Sequence, residues 1–134
     1  MKYLGIDYGS KRIGVAMSDD GGNMAFPKAV IPNNRHLMVE LSNLIKNHKI
    51  EKVIVGESKD FNMEDNPIFK DARFFASELA RETGVSVEFE PEYLTSHQAG
   101  RTNFELSGGN AMLDASAAAI ILQSFLDKVR SRSN

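Results

Sequence analysis

The chain has no cysteine, so neither a disulfide framework nor a cysteine-ligated metal centre is open to it. No apolar run approaches the length of a membrane-spanning helix, and the first residues lack the pattern of a secretory signal. Nor is there a basic surplus: 16 Lys and Arg stand against 18 Asp and Glu, for a formal charge of −2. General nucleic-acid binders usually carry such a surplus, so a role of that kind has to rest on a local patch. No internal repeat or low-complexity linker divides the sequence. Its 134 residues, 42% of them hydrophobic, suffice for one domain with a real core and fall short of two. The expectation is a soluble cytoplasmic protein with a single domain over residues 1–134.

Hydrophobic periodicity predicts the elements. Residues 2–7 and 12–17 read as a hairpin around the turn Gly9-Ser10-Lys11-Arg12, and residues 25–31 as a third strand. Pro27 inside that strand predicts an edge position, because proline cannot donate to a ladder. Asn33-Asn34 offers a cap for a helix with Leu37, Leu41, Leu44 and Ile45 on one face. The continuous apolar run at 52–57 suits a strand buried on both sides. A polar loop over 58–66 leads to a helix that opens at Asn66-Pro67, turns Ile68, Ala72, Phe75, Ala76 and Leu79 inward, and stops at Gly84. Residues 85–90 alternate as a fifth strand, and Thr95-Ser96-His97-Gln98 has capping-box spacing for a short helix. After a loop at 107–110, a last helix runs from 111 to about 130. The order βββ-αβ-αβ-α-α describes an α/β protein: an antiparallel meander feeding parallel crossover units.

Three acids sit in apolar company. Asp7 ends the first strand, Glu92 follows the fifth, and Asp114 lies in a helix apolar on nearly every face. A buried unpaired carboxylate is costly, and one solution is to gather several around a divalent cation. Magnesium suits a few carboxylates completed by water and substrate phosphate. Asp7, Glu57 and Glu92 all fall at or just past strand ends, where ligands of α/β sheets collect. Each also has an ordinary reading: a strand-end turn for Asp7, a solvated loop for Glu92, the helix dipole for Asp114. The combination favours a site.

The stretches GIDYGSKRIGVAMSD, VIVGE, EYLTSHQA and LDASAAAIILQSFLD, taken in order and with their spacing, resemble the YqgF (RuvX) family. That family has a ribonuclease H-like fold and is described as pre-16S rRNA nucleases and as Holliday junction resolvases. The resemblance implies a five-stranded mixed sheet, three antiparallel strands plus two parallel ones, flanked by helices. It also implies that Asp7, Glu92 and Asp114 are metal-binding catalytic acids. Two Mg²⁺ ions, with Mn²⁺ an alternative, would activate water and stabilise the leaving oxygen of a phosphodiester. The chain departs from the family at Tyr93, where an arginine is expected, and at Gly56-Glu57-Ser58-Lys59-Asp60, where Gly-Leu-Pro is usual. In such a fold the fourth strand lies beside the first, which makes Glu57 a candidate fourth ligand.

Lys11 and Arg12 in the first hairpin turn are the candidate phosphate contacts, set against a plain solvated turn. The implied partner is nucleic acid: precursor rRNA first, branched DNA second, with no membrane role and with a monomer or homodimer as the assembly. A junction resolvase would need the two-fold dimer. An actin-like nucleotide site would need two such domains, and a catalytically weak nucleic-acid-binding module would lack metal binding.

Overall fold

The computed structural model describes residues 1–57, 67–91 and 110–133. Strands β1 (Tyr3–Tyr8), β2 (Arg12–Ser18) and β3 (Ala25–Pro32) are followed by helix α1 (Leu37–Asn47) and strand β4 (Lys52–Glu57). Helix α2 (Pro67–Thr83), strand β5 (Ser86–Pro91) and helix α3 (Asn110–Ser133) complete the order. The five strands form one sheet in the order β3-β2-β1-β4-β5. β1, β2 and β3 are the antiparallel meander, while β1–β4 and β4–β5 pair in parallel. The expected mixed sheet is therefore present, and β3, the strand holding Pro27, lies at an edge. The expected loop at 58–66 and the short helix after Thr95 lie outside the described residues.

Alternation divides the strand residues between two cores. Leu4, Ile6, Ile13, Val15, Met17, Val53 and Val55 face α1 and α2, meeting Leu37, Leu41, Ile45, Phe75 and Leu79. Tyr3, Ala16 and Ile54 face the other way, onto Ala118, Ile121, Leu122, Phe125 and Leu126 of α3. β4 is covered on both sides, which is why Val53, Ile54 and Val55 are all apolar and fully buried. The layers are α1 and α2, then the sheet, then α3.

The start of α1 departs from the sequence reading. His36 occupies the N-cap position and makes no side-chain capping bond. Asn34 instead accepts the His36 N–H at its Oδ1 (2.8 Å) and the Leu37 N–H at its carbonyl (3.0 Å), turning the chain into the helix. Asn33 does something else. Its side chain donates to the Gly9 carbonyl (2.8 Å), and its own N–H donates to the Lys11 carbonyl (2.9 Å). Both groups are used by the first hairpin turn, so Asn33 is not a helix cap.

Candidate active site

Asp7 stands at the carboxyl end of β1, half-buried, opposite Gly14 of β2. Strand alternation sets Tyr3, Gly5 and Asp7 on the α3 side, since Leu4 and Ile6 belong to the other core. Two contacts then fix the direction of α3 along this row. The Tyr3 and Phe125 rings pack at 5.6 Å between centroids, so the later part of α3 covers the start of β1. Gly5 meets α3 earlier in the helix: a Cβ placed there would lie 2.7 Å from Leu122 Cβ and 3.0 Å from the Ala118 carbonyl oxygen. Helix α3 thus runs back along β1, nearly in contact with its backbone. Two strand residues advance about 6.6 Å and five helix residues about 7.5 Å, so successive contacts keep step. One more such step leads from Gly5 to Asp7 on the strand, and from Ala118 toward the turn that holds Asp114 on the helix.

The remaining sequence candidates fall as follows. β4 ends at Glu57, two residues past Val55, the partner of Ile6. Glu57 also pairs with Pro91, the last residue of β5. Glu92 itself lies outside the described residues, as do Tyr93, Thr95 and His97. Lys11 and Arg12 are exposed on the β1–β2 turn, just beyond Asp7. Asn33 holds that turn from the far end of β3, and Gly9 permits its tightness, since a Cβ there would lie 2.6 Å from the Arg12 carbonyl oxygen.

Sequence reading missed Glu90. In the alternation of β5, Glu88 and Glu90 look like a solvated face, yet Glu90 is only 3% exposed. Its Oε2 accepts from Ser124 Oγ at 2.8 Å and pairs with Lys128 Nζ at 2.7 Å, both on α3. The available signal was topological: a helix packed across a parallel sheet can cover one end of the edge strand, burying Glu90 while Glu88, on the same face, stays exposed. Lys128 is thereby engaged with Glu90, and Arg130 with Asp127 at 2.7 Å.

The donor chemistry at this rim is hard oxygen. With no cysteine in the chain, these carboxylates suit Mg²⁺ or Mn²⁺ rather than a soft metal. Among the described residues, no three His, Asp or Glu side chains gather closely enough to hold a metal ion. Among the same residues, no helix is long and apolar enough to cross a membrane.

Comparison with known proteins agrees with this architecture. The family model RuvX, described as Holliday junction resolvase, matches residues 1–128. A relative from Nitratidesulfovibrio vulgaris (strain Miyazaki F), named "Putative pre-16S rRNA nuclease", is 39% identical, covering 98% of this chain and 97% of its own. One of the same name from Streptococcus mutans is 33% identical, with 96% and 99% covered. Among solved structures, T. thermophilus RuvC in complex with a Holliday junction substrate superimposes with a TM-score of 0.65 at 18% identity, covering 97% and 96%. The fowlpox virus resolvase with its junction DNA gives 0.60 at 13% identity, covering 96% and 99%. The last two likenesses establish the ribonuclease H-like fold that resolvases share. The sequence matches reach further: they run from the Asp7 strand through the last helix at full-length coverage, and by them this chain belongs to the RuvX family.

Proposed function

We propose that this protein is a metal-dependent endonuclease that processes the 5′ end of pre-16S rRNA, with residues 1–134 acting as one nuclease domain. Asp7, Glu92 and Asp114 are the metal-binding catalytic acids of this reading. The observation that carries it is the track of α3 along β1. Tyr3 against Phe125, then Gly5 against Ala118 and Leu122, run toward Asp7 on one element and toward the Asp114 turn on the other. The names of the full-length relatives support rRNA as the substrate.

Asp7, Glu92 and Asp114 would hold divalent cations, Mg²⁺ in the first place, which would supply an activated water and charge stabilisation for an in-line phosphodiester displacement. The protein's own residues hold and orient. Asp7 offers a carboxylate from a rigid, paired strand end, where its backbone is fixed by β2. Lys11 and Arg12 neutralise backbone phosphates beside it, contacts that set the register of a nucleic acid without reading its sequence. Asn33 keeps their turn in shape. Glu57, at the end of the strand that pairs with β1, is the candidate fourth ligand.

The test is cleavage of a labelled pre-16S rRNA 5′ fragment and of a four-way DNA junction, each with Mg²⁺, Mn²⁺ or EDTA. Asp7→Asn is expected to lower metal-dependent RNA cutting by at least about a hundredfold, more than loss of an outer-shell partner costs. Glu57→Gln is expected to lower it far less. Cutting of the junction alone would move the assignment to a resolvase. Cutting of neither substrate, or cutting that Asp7→Asn leaves intact, would leave a nucleic-acid-binding module.

A further inference from the structure

The contact between α3 and the sheet combines close approach at Gly5, Ala16 and Ala118 with larger apolar side chains such as Tyr3, Ile54, Leu122 and Phe125. Apolar contact is non-directional, so it fixes the axial place of a helix less sharply than polar bonds do. A shift of one residue along α3 is about 1.5 Å, enough to spoil a site built from strand and helix together. Directional polar contacts are what can forbid it. They occur at both edges of the sheet. On the β3 side, Gln123 accepts the Ala25 N–H at 2.9 Å and donates to the Asn23 carbonyl at 3.0 Å. On the β5 side, the buried Glu90 carboxylate takes Ser124 Oγ at 2.8 Å and Lys128 Nζ at 2.7 Å.

Burying Glu90 is hard to explain as stabilisation. Desolvation of an ion pair commonly offsets its attraction, so an apolar pair of similar volume often serves stability as well or better. The best-attested use of such a group is to fix registry. Ser124 and Lys128 lie four residues apart, on one helix face, so a single carboxylate reads two successive turns of α3. A helix displaced by one residue loses both partners and leaves a charge buried without them.

We infer that Glu90, with Ser124 and Lys128, is a positioning group that sets the axial register of α3 on the sheet and so the place of Asp114 relative to Asp7. The second half of that statement rests on the active-site reading above. The first half stands on the observed contacts alone.

The decisive variant replaces the whole pair, Glu90→Met with Lys128→Met, so that no unpaired charge is buried. Register is read by spin labels on Lys28→Cys and Arg130→Cys, exposed positions on β3 and α3 of a chain with no other cysteine. Metal affinity is read by Mn²⁺ titration calorimetry, and stability by thermal melting. The expected result is an unchanged or raised Tm, a shifted or broadened label distance, and Mn²⁺ affinity lowered about tenfold, the scale of outer-shell losses. Glu90→Gln, which keeps an acceptor for both partners, is expected to stay within about twofold of the parent on that scale. Unchanged label distance and Mn²⁺ affinity in the folded double variant would overturn the inference and reduce the pair to a structural contact. Asp7→Asn, run alongside, separates the two claims. If the label distance moves while Asp7→Asn leaves Mn²⁺ affinity intact, the register role stands and the active-site reading falls.

Discussion

The two faces of the sheet are packed by different means. On the α1 and α2 side, large side chains fill the space: Leu4, Ile6, Leu41 and Leu79 are each fully buried, and the Tyr8 and Phe75 rings pack tilted at 5.1 Å between centroids. On the α3 side the strand offers Gly5 where the helix crosses it, and the helix answers with Ala118. Bulk packing on the first side tolerates small displacements, because long side chains adjust their rotamers around a gap. Where α3 crosses Gly5 at near-backbone distance, nothing flexible stands between them, so the helix cannot move closer to the strand. The proposed chemistry lies on the second side. Stability and positioning are therefore supplied by separate surfaces of one sheet, and substitutions should pull them apart.

The largest loss of stability is expected on the bulk side. Leu41→Ala removes a fully buried side chain and should cost about 2–5 kcal/mol, read as a lower midpoint in urea. Metal affinity of the folded fraction should stay at the parent value. A fall in that affinity would show that the two faces are not separable.

Gly5→Ala should show the reverse balance. The added methyl group meets Leu122 Cβ at 2.7 Å and the Ala118 carbonyl oxygen at 3.0 Å, and a backbone atom cannot rotate away. Overpacking of this kind costs about 1–3 kcal/mol. Because α3 must lift, the loss in turnover should exceed what the lowered stability explains. Equal turnover per folded molecule would mean that close approach serves packing alone.

The smallest effect is expected at the far end of the sheet. Asp19 accepts the Asn23 N–H at 2.7 Å and the Met24 N–H at 3.2 Å, and these bonds hold its carboxyl below the ordinary value of 3.8. A lowered folded value means that the turn's extra stability is present above the unfolded value and is lost as pH falls through the folded one. Protection of the Asn23 and Met24 amides, taken against the intrinsic exchange rate at each pH, should therefore fall below roughly pH 4, with turnover at neutral pH unaffected by Asp19→Asn. Acid-insensitive protection would show that the backbone alone, with Gly22 at φ 70°, holds this turn.

Much of this was legible in the linear sequence, for reasons of period and punctuation. Val53-Ile54-Val55 has no polar side to present, so it had to be a strand covered on both faces. Pro27 could not sit inside a ladder, and its strand is an edge. Pro67 opens α2 as a first helical residue without a needed N–H, and Gly84, at φ 74°, follows its end. The candidate acids could be named because a carboxylate at the end of an apolar run is costly enough to need a reason.

What failed was whatever depended on a distant partner. Asn33 carries the local signature of a cap, and its side-chain bond goes instead to Gly9, 24 residues earlier. Glu90 carries the signature of a solvated strand face, and its partners lie 34 and 38 residues on, at Ser124 and Lys128. Local sequence determined which segments become strands and helices, because hydrophobic period and backbone stereochemistry act over a few residues. Only the tertiary structure decided that α3 lies against Gly5 and that Glu90 is buried beneath it. Those facts belong to surfaces that exist only once the sheet has formed and a helix has covered it.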